Sequence, residues 1–180
     1  MIVEAALTVV VFATLLFGII EFGTAFYDYL TASNVTRTAA RTGSTMGNAA
    51  LTDYQILQKV KSAAAPLPVS EIQQIIVYKA SGVGAAPDPS CKSGSVTGLC
   101  NTYVNSDLSR PSTDFGCGTA SPDRYWCPTS RVVSASGNSG AGTDYLGVYI
   151  RVLHKSVTGM FGPSFTFTPN MVLKIEAQTP

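Results

Sequence analysis

Apolar side chains dominate the stretch from Met1 to Tyr29, and no charged residue lies between Glu4 and Glu21. A helix rises about 1.5 Å per residue and a bilayer core is about 30 Å thick, so about 20 residues are needed to cross it. The uncharged run is slightly shorter than this. The pattern therefore predicts a spanning helix if Glu21 lies near an interface or is neutralised by a partner from the same or an adjacent helix.

Helical spacing of apolar residues continues after Tyr29, at Leu30, Val35 and Ala39. Glycine is unfavourable inside a helix and common just past its end, so the sequence predicts that this helix weakens at Gly43 and stops by Gly47. We expect residues 1–47 to form one long helix, and residues 48–180 to form a globular domain on its second half.

A second helix is predicted over Asp53–Ala65, because its apolar residues share one helical face. Thr52 and Gln55 have the spacing of a capping box at its start. β-Branched and aromatic residues then predict a strand over Glu71–Lys79.

The last third of the chain has strand character again. Alternating apolar residues predict a half-buried strand over Tyr145–Lys155, and a terminal strand is predicted over Met171–Ala177. Between them we expect a short helical turn over Ser156–Gly162, packed through its apolar side chains, and a small strand over Phe165–Thr168.

Residues 80–142 are rich in Gly, Ser, Pro, Asn and Asp, which predicts loops. A structureless insert of this length is unusual in a compact domain, and disulfide bonds would stabilise it. Four cysteines allow three connectivities, of which we favour the two short loops. Disulfides indicate an oxidising compartment outside the cytoplasm. The predicted pairs are Cys91 with Cys100 and Cys117 with Cys127.

Zinc binding by these cysteines is a weak alternative, because no pair has CxxC spacing and the sole histidine, His154, is distant in the chain. A lone histidine in a strand is more often a structural or surface residue than a base or a ligand. Tyr125 and Trp126 would contact a sugar or a neighbouring subunit if a turn presents them. Burial of Trp126 against the adjacent disulfide is at least as compatible with the sequence.

Charged residues make up only 13% of the chain and the net charge is +1. A nucleic-acid-binding surface needs clustered Lys and Arg, so no nucleic-acid partner is expected. The sequence contains no GxSxG, HExxH or P-loop motif, and we expect neither an enzyme nor a bound cofactor or metal.

The N-terminal helix has three interpretations: a cleaved secretory signal, a simple membrane anchor, or a helix that leaves the membrane to pack into a filament core. A signal fits badly, since no Lys or Arg precedes Arg37. A carboxylate at Glu4 is costly in lipid unless a positive group, such as the amino terminus of a neighbouring copy, meets it.

The residues of Val3–Leu7, Leu15–Gly23 and Tyr27–Leu30 resemble the N-terminal segment of TadE-like pilins. These are pseudopilins of the tight-adherence branch of the type IV filament superfamily. The resemblance implies a prepilin whose basic leader is removed by a prepilin peptidase before assembly by pilus machinery. Glu4 would correspond to the near-terminal glutamate of that superfamily, which is usually the fifth mature residue rather than the fourth. The strand, turn and terminal strand near the C-terminus resemble the same family.

These observations predict an α+β pilin with a long N-terminal helix, a second helix, a small and mainly antiparallel sheet, and disulfide-stapled loops. The expected function is structural: copies are held in the membrane and then assemble into an extracellular helical filament. Met1, Glu4 and Glu21 are the expected assembly residues. The alternatives are a membrane-anchored assembly factor and a minor, tip-located adhesin pilin.

Overall fold

The computed structural model describes residues 2–133, 142–159 and 162–176 of the chain. It confirms the predicted α+β class, with a long N-terminal apolar helix, a second helix, a small antiparallel sheet and two disulfides. The helices and strands are α1 (Ile2–Met46), α2 (Thr52–Ala63), β1 (Ile72–Ala80), β2 (Cys100–Tyr103), β3 (Tyr145–Lys155), β4 (Ser164–Phe167) and β5 (Asn170–Lys174). Short 3-10 helices lie at Val69–Glu71, Pro89–Lys92, Asn105–Ser109, Ser112–Asp114 and Pro128–Ser130.

Strand β3 is the centre of the sheet, whose order is β2-β1-β3-β4. β1 pairs antiparallel with one edge of β3, so that Ile76 lies opposite Tyr149. β4 and β5 share the other edge: β4 pairs with the end of β3 at residues 152–155, and β5 pairs with its beginning at residues 145–149. Both ends of β3 are therefore held in the sheet.

The main core lies between one face of the sheet, α2 and the second half of α1. Small α1 side chains such as Ala39 and Ala40 are fully buried there, which lets the helix approach the sheet closely. A Cβ added at Gly43 would lie 2.8 Å from side-chain atoms of Ile56 and Leu146. The helix continues past Gly43 to Met46, and this glycine serves close packing, while its predicted weakening of the helix stays a prediction.

The predicted end of α1 at Gly47 is confirmed. This residue has φ 59°, a left-handed conformation that glycine adopts without strain, and its N–H donates to the carbonyl of Gly43. The capping box predicted for α2 is wrong, because Leu51 is the N-cap and no side chain caps the helix. The Thr52 hydroxyl instead donates to the carbonyl of Ala49 at 2.7 Å.

The predicted strands are present with shifts of a few residues at their ends, and β3 has the predicted bounds. β3 is more deeply buried than the half-buried strand that was expected, since both of its faces are covered. Gly147 lies beneath the ring of Tyr78, where an added Cβ would come within 2.2 Å of that ring. Ala177 of the predicted terminal strand lies outside the described residues.

The helical turn predicted over Ser156–Gly162 is wrong for the residues that the structure describes there. Residues 156–159 form a bend, and the side chain of Val157 is 66% exposed rather than packed. Residues 160 and 161 lie outside the described part of the chain. The backbone N–H groups of this bend bind a side chain of α1, as described below.

Both predicted disulfides are confirmed, between Cys91 and Cys100 and between Cys117 and Cys127. The region predicted to be loops is only partly irregular, because it contributes β2 and several 3-10 helices. β2 was missed because it is only four residues long, too short to show a periodic pattern.

A buried polar network joins this disulfide-containing region to the start of α2. Asp53 and Arg131 form an ion pair of 2.6 Å, and both side chains have 0% exposure. The other carboxylate oxygen of Asp53 accepts hydrogen bonds from the Asn101 side chain at 2.8 Å and from the Tyr103 hydroxyl at 2.7 Å. Asn101 also binds the backbone of Trp126 on both its N–H and its carbonyl. The loops are thus held by this network as well as by the disulfides.

We expect Asp53→Asn to lower the free energy of unfolding by roughly 3–5 kcal/mol, because it leaves the guanidinium of Arg131 buried without its counter-charge. Asp114→Asn is the matched control, since Asp114 pairs with Arg110 at 3.5 Å on the exposed surface and should contribute less than about 1 kcal/mol. Chemical denaturation of the full chain in detergent measures both. Equal losses in the two variants would contradict a structural role for the network.

Candidate functional site

The N-terminal half of α1 projects from the folded domain with its apolar side chains uncovered. Among the described residues, the helix over Val3–Met46 is long and apolar enough to cross a membrane, by length and composition. The large hydrophobic side chains between Val3 and Leu30 have exposed fractions between 45% and 72%. Beyond Leu30 the same helix becomes the spine of the core, since Ala32 and Val35 are buried.

Glu21 is the exception within this exposed half, because only 1% of its surface is accessible. Its carboxylate accepts hydrogen bonds from the backbone N–H of Val157 at 3.1 Å and from that of Thr158 at 2.8 Å. The hydroxyl of Thr158 adds a third donor at 2.9 Å. We call this contact the Glu21 clamp.

The Glu21 clamp corrects the prediction that this carboxylate finds its partner on the same or an adjacent helix. The donors come from the β3–β4 loop of the same chain, 136 and 137 residues away in sequence. Hydrogen bonds to an ionised group are among the stronger ones in proteins. The clamp therefore satisfies the one buried charge on the apolar part of the helix and ties that part to the sheet.

His154 lies next to the clamp and confirms the structural interpretation of this residue. Its Nδ1 is 2.5 Å from a carboxylate oxygen of Asp28, and its Nε2 is 4.0 Å from a carboxylate oxygen of Glu21. The rings of Phe165 and Phe167 lie against the imidazole. A second contact between α1 and the sheet is thereby formed two helical turns after Glu21.

Glu71 lies at the edge of this cluster, and one of its carboxylate oxygens is buried without a hydrogen-bond partner among the described residues. Burial raises the pKa of Glu71, and the negative charge of Asp28 raises it further. His154 and Lys155 act in the opposite direction but do not cancel this effect. Folding therefore shifts the pKa of Glu71 upward from its ordinary value.

The three predicted assembly residues do not form one site. Met1 lies outside the described residues. Glu4 is exposed on the first turn of α1, and the helix separates it from Glu21 by about 26 Å at 1.5 Å per residue. Glu21 is used within the chain, while the predicted role of Glu4 in assembly stays a prediction.

Trp126 is buried, with 3% exposure, so its prediction as a surface contact is wrong. It is buried as the alternative predicted, while its contact with the adjacent disulfide stays a prediction. The guanidinium of Arg131 lies 4.2 Å from the centre of its ring, a cation–π contact. Tyr125 is half-buried and is covered by Arg124, which stacks on its ring and binds its hydroxyl. Nothing in the sequence marked Arg131 as the partner of the tryptophan, because that contact depends on the fold of the loops.

Within residues 2–133, 142–159 and 162–176, no group of three or more His, Cys, Asp or Glu side chains is arranged to hold a metal ion. An apolar groove lies beside the Glu21 clamp and has a volume of about 380 Å³. One wall is formed by α1 and the other by β4. Its lining residues are Glu21, Phe22, Ala25, Phe26, Tyr29, Phe165 and Phe167.

In a comparison with models of known families, residues 1–41 match the TadE-like protein family. This confirms the resemblance of the N-terminal helix to TadE-like proteins and supports a protein related to Tad pili. No curated protein and no solved structure matches the chain. The matched residues cover the apolar half of α1, the Glu21 position and most of the buried spine, but not the sheet.

Glu71→Gln tests the electrostatics of the cluster. Because the pKa of Glu71 is raised in the folded state, the wild-type protein loses stability as the pH rises from about 4.5 through that raised pKa. Glutamine cannot ionise, so we expect the variant to lose less stability over this interval and to be the more stable protein at neutral pH. Thermal unfolding at a series of pH values measures the difference. Parallel pH profiles of the wild-type protein and the variant would contradict the raised pKa of Glu71.

Glu21→Gln tests the clamp. An amide keeps the shape of the side chain but removes the charge and turns an NH2 group toward the loop donors. Since a hydrogen bond to a charged group contributes about 1.5–3 kcal/mol, we expect the backbone N–H groups of Val157 and Thr158 to exchange with solvent roughly ten- to hundredfold faster.

Hydrogen exchange of the full chain in detergent, followed by mass spectrometry, measures this rate. Glu4→Gln is the control, because it makes the same change on the same helix at an exposed position far from the loop. Unchanged exchange at residues 157 and 158 in Glu21→Gln would show that the carboxylate does not hold the loop.

Proposed function

We propose that this chain is a structural subunit of an extracellular Tad-type pilus filament, and that it polymerises through the N-terminal half of α1. Before assembly that half anchors each copy in the membrane. The similarity to TadE-like proteins supports this proposal, as well as a prepilin peptidase and pilus machinery as partners. The family is one of structural rather than catalytic proteins, which supports a non-enzymatic role.

The observation that carries the proposal is the length of uncovered apolar helix. From Val3 to Leu30 the exposed apolar side chains extend along about 40 Å of helix. The hydrocarbon core of a bilayer is only about 30 Å thick. Lipid therefore covers only part of this surface, whereas neighbouring helices in a filament would cover all of it.

The apolar groove beside the Glu21 clamp supports the same conclusion. The rings of Phe22, Phe26 and Phe165 line this groove, where α1 meets β4. Exposed apolar surfaces of this kind mark sites of association, because their burial removes them from water at about 25 cal/mol per Å². Copies stacked through α1 would bury this groove together with the rest of the helix.

Glu4 is proposed to set the register between neighbouring copies. Its side chain is exposed on the first turn of α1, where in a filament core it would lie among apolar helices. A carboxylate in that environment requires a positive partner, and the amino terminus of the next copy, near Met1, has the required charge. A charge pair between Glu4 of one copy and the amino terminus of the next would favour one axial offset between them.

Two alternatives use the same anchor. A membrane-anchored assembly factor would not polymerise, and a minor tip pilin would bind a surface through the disulfide-containing region. The adhesin alternative has less support, because Trp126, one of the two aromatic residues expected to contact a surface, is buried. The other, Tyr125, is covered by Arg124. Isolation of filaments distinguishes the assembly-factor alternative from the proposed filament subunit.

Electron microscopy of material sheared from producing cells, with mass spectrometry of its dominant protein, tests the proposal. We expect filaments in which this chain dominates, and we expect Glu4→Gln to abolish them because the charged pair is lost. Glu176→Gln is the matched control, since Glu176 is exposed on the globular domain, and its filaments should persist. If the chain stays in the membrane fraction and no filament contains it, the filament proposal fails and the assembly factor replaces it.

A further inference from the structure

The β3–β4 loop is where the contacts of the globular domain with α1 extend furthest toward the N-terminus of the helix. Val157 and Thr158 share a shallow apolar surface with Phe17 and Ile20 of α1. The other contacts described between α1 and the sheet lie at Glu21 itself and further along the helix, where it faces His154, Phe165 and Phe167. In an anchored copy this loop is therefore the part of the described domain nearest to the membrane.

The length of the helix places the membrane boundary at the level of this loop. From Val3 to Ile20 the helix is about 26 Å long at 1.5 Å per residue, close to the thickness of the hydrocarbon core. Glu21 is the next residue, and the loop covers its charge. The segment below the clamp is thus long enough to fill the hydrocarbon core nearly completely.

Strand β4 shows that the hydrocarbon cannot extend much further along α1. It is the last strand in the order β2-β1-β3-β4, so the backbone groups on its outer edge have no partner strand among the described residues. Unpaired backbone groups are not tolerated in lipid hydrocarbon. Since Phe165 and Phe167 of β4 lie beside Phe22 and Tyr29, this part of the helix must lie above the hydrocarbon.

The loop itself has the chemistry of a segment at the lipid headgroups. Val157 presents an apolar side chain that is 66% exposed, and Lys155, two residues before it in the chain, is also exposed. Interfacial segments combine apolar side chains, which enter the headgroup layer, with basic side chains, which are attracted to anionic lipids. The Glu21 carboxylate, which those lipids would repel, is covered by the loop.

We propose that residues Lys155–Thr158 bind the headgroup layer of the membrane that holds α1. The Glu21 clamp makes the loop and the helix one unit, so this contact sets the depth of the helix and the height of the sheet above the bilayer. The inference does not depend on polymerisation, because it applies to any role in which α1 is a membrane anchor.

Quenching by spin-labelled lipid tests this contact. All four cysteines are paired in disulfides, so Val157→Cys introduces a single thiol for an environment-sensitive fluorophore. Val83→Cys is the matched control: Val83 is a more exposed valine, at 79%, and it follows the end of β1 that pairs with the beginning of β3, away from the β3–β4 loop. The oxidised full chain is reconstituted in vesicles of phosphatidylcholine and phosphatidylglycerol that contain a lipid with a nitroxide on its headgroup.

We expect the probe at residue 157 to be quenched several-fold more strongly than the probe at residue 83. Lys155→Cys provides a second labelled position, with the same ordering expected, in case the change at residue 157 disturbs the loop. Equal quenching at the loop and at residue 83 would overturn the proposal. A blue-shifted but unquenched probe at residues 155 and 157 would also overturn it, because the loop would then be covered by another copy of the chain rather than by lipid.

Discussion

The hydrogen bonds between the Glu21 carboxylate and the β3–β4 loop are the contact on which the arrangement of the molecule depends. A charge on an apolar helix has to be satisfied or removed from the membrane. In this chain it is satisfied by backbone donors from the far end of the sequence. Because the Glu21 carboxylate needs hydrogen-bond donors, its contact with the loop determines where the exposed half of α1 meets the folded domain.

The two halves of α1 lie in different environments. Its first half has large exposed side chains suited to lipid or to neighbouring helices, and its second half has small buried ones that pack against the sheet and α2. The change occurs without a break, since the helix is continuous from Ile2 to Met46. One continuous helix thus connects the exposed apolar half to the globular domain.

The disulfide-containing region is organised by polar contacts as much as by its covalent bonds. The two disulfides join cysteines that are 9 and 10 residues apart in sequence. Each therefore closes a short loop and constrains little of the chain outside that loop. Asp53 and Arg131 connect these loops to α2 across 78 residues. Burial of either charge without the other would be costly. The ion pair therefore stabilises the arrangement of the loops in which both partners meet.

Local patterns in the sequence determined the helices, the bounds of β3, both disulfide pairs and the similarity of the first residues to TadE-like proteins, because each depends on spacing over a few residues. The tertiary structure decided the partners of Glu21 and Asp53, the burial of Trp126 and the packing role of Gly43. These depend on residues far apart in the chain, and periodicity carries no information about such pairs. A charged or aromatic side chain needs a partner in the folded protein, and only the tertiary structure shows which distant residue is that partner.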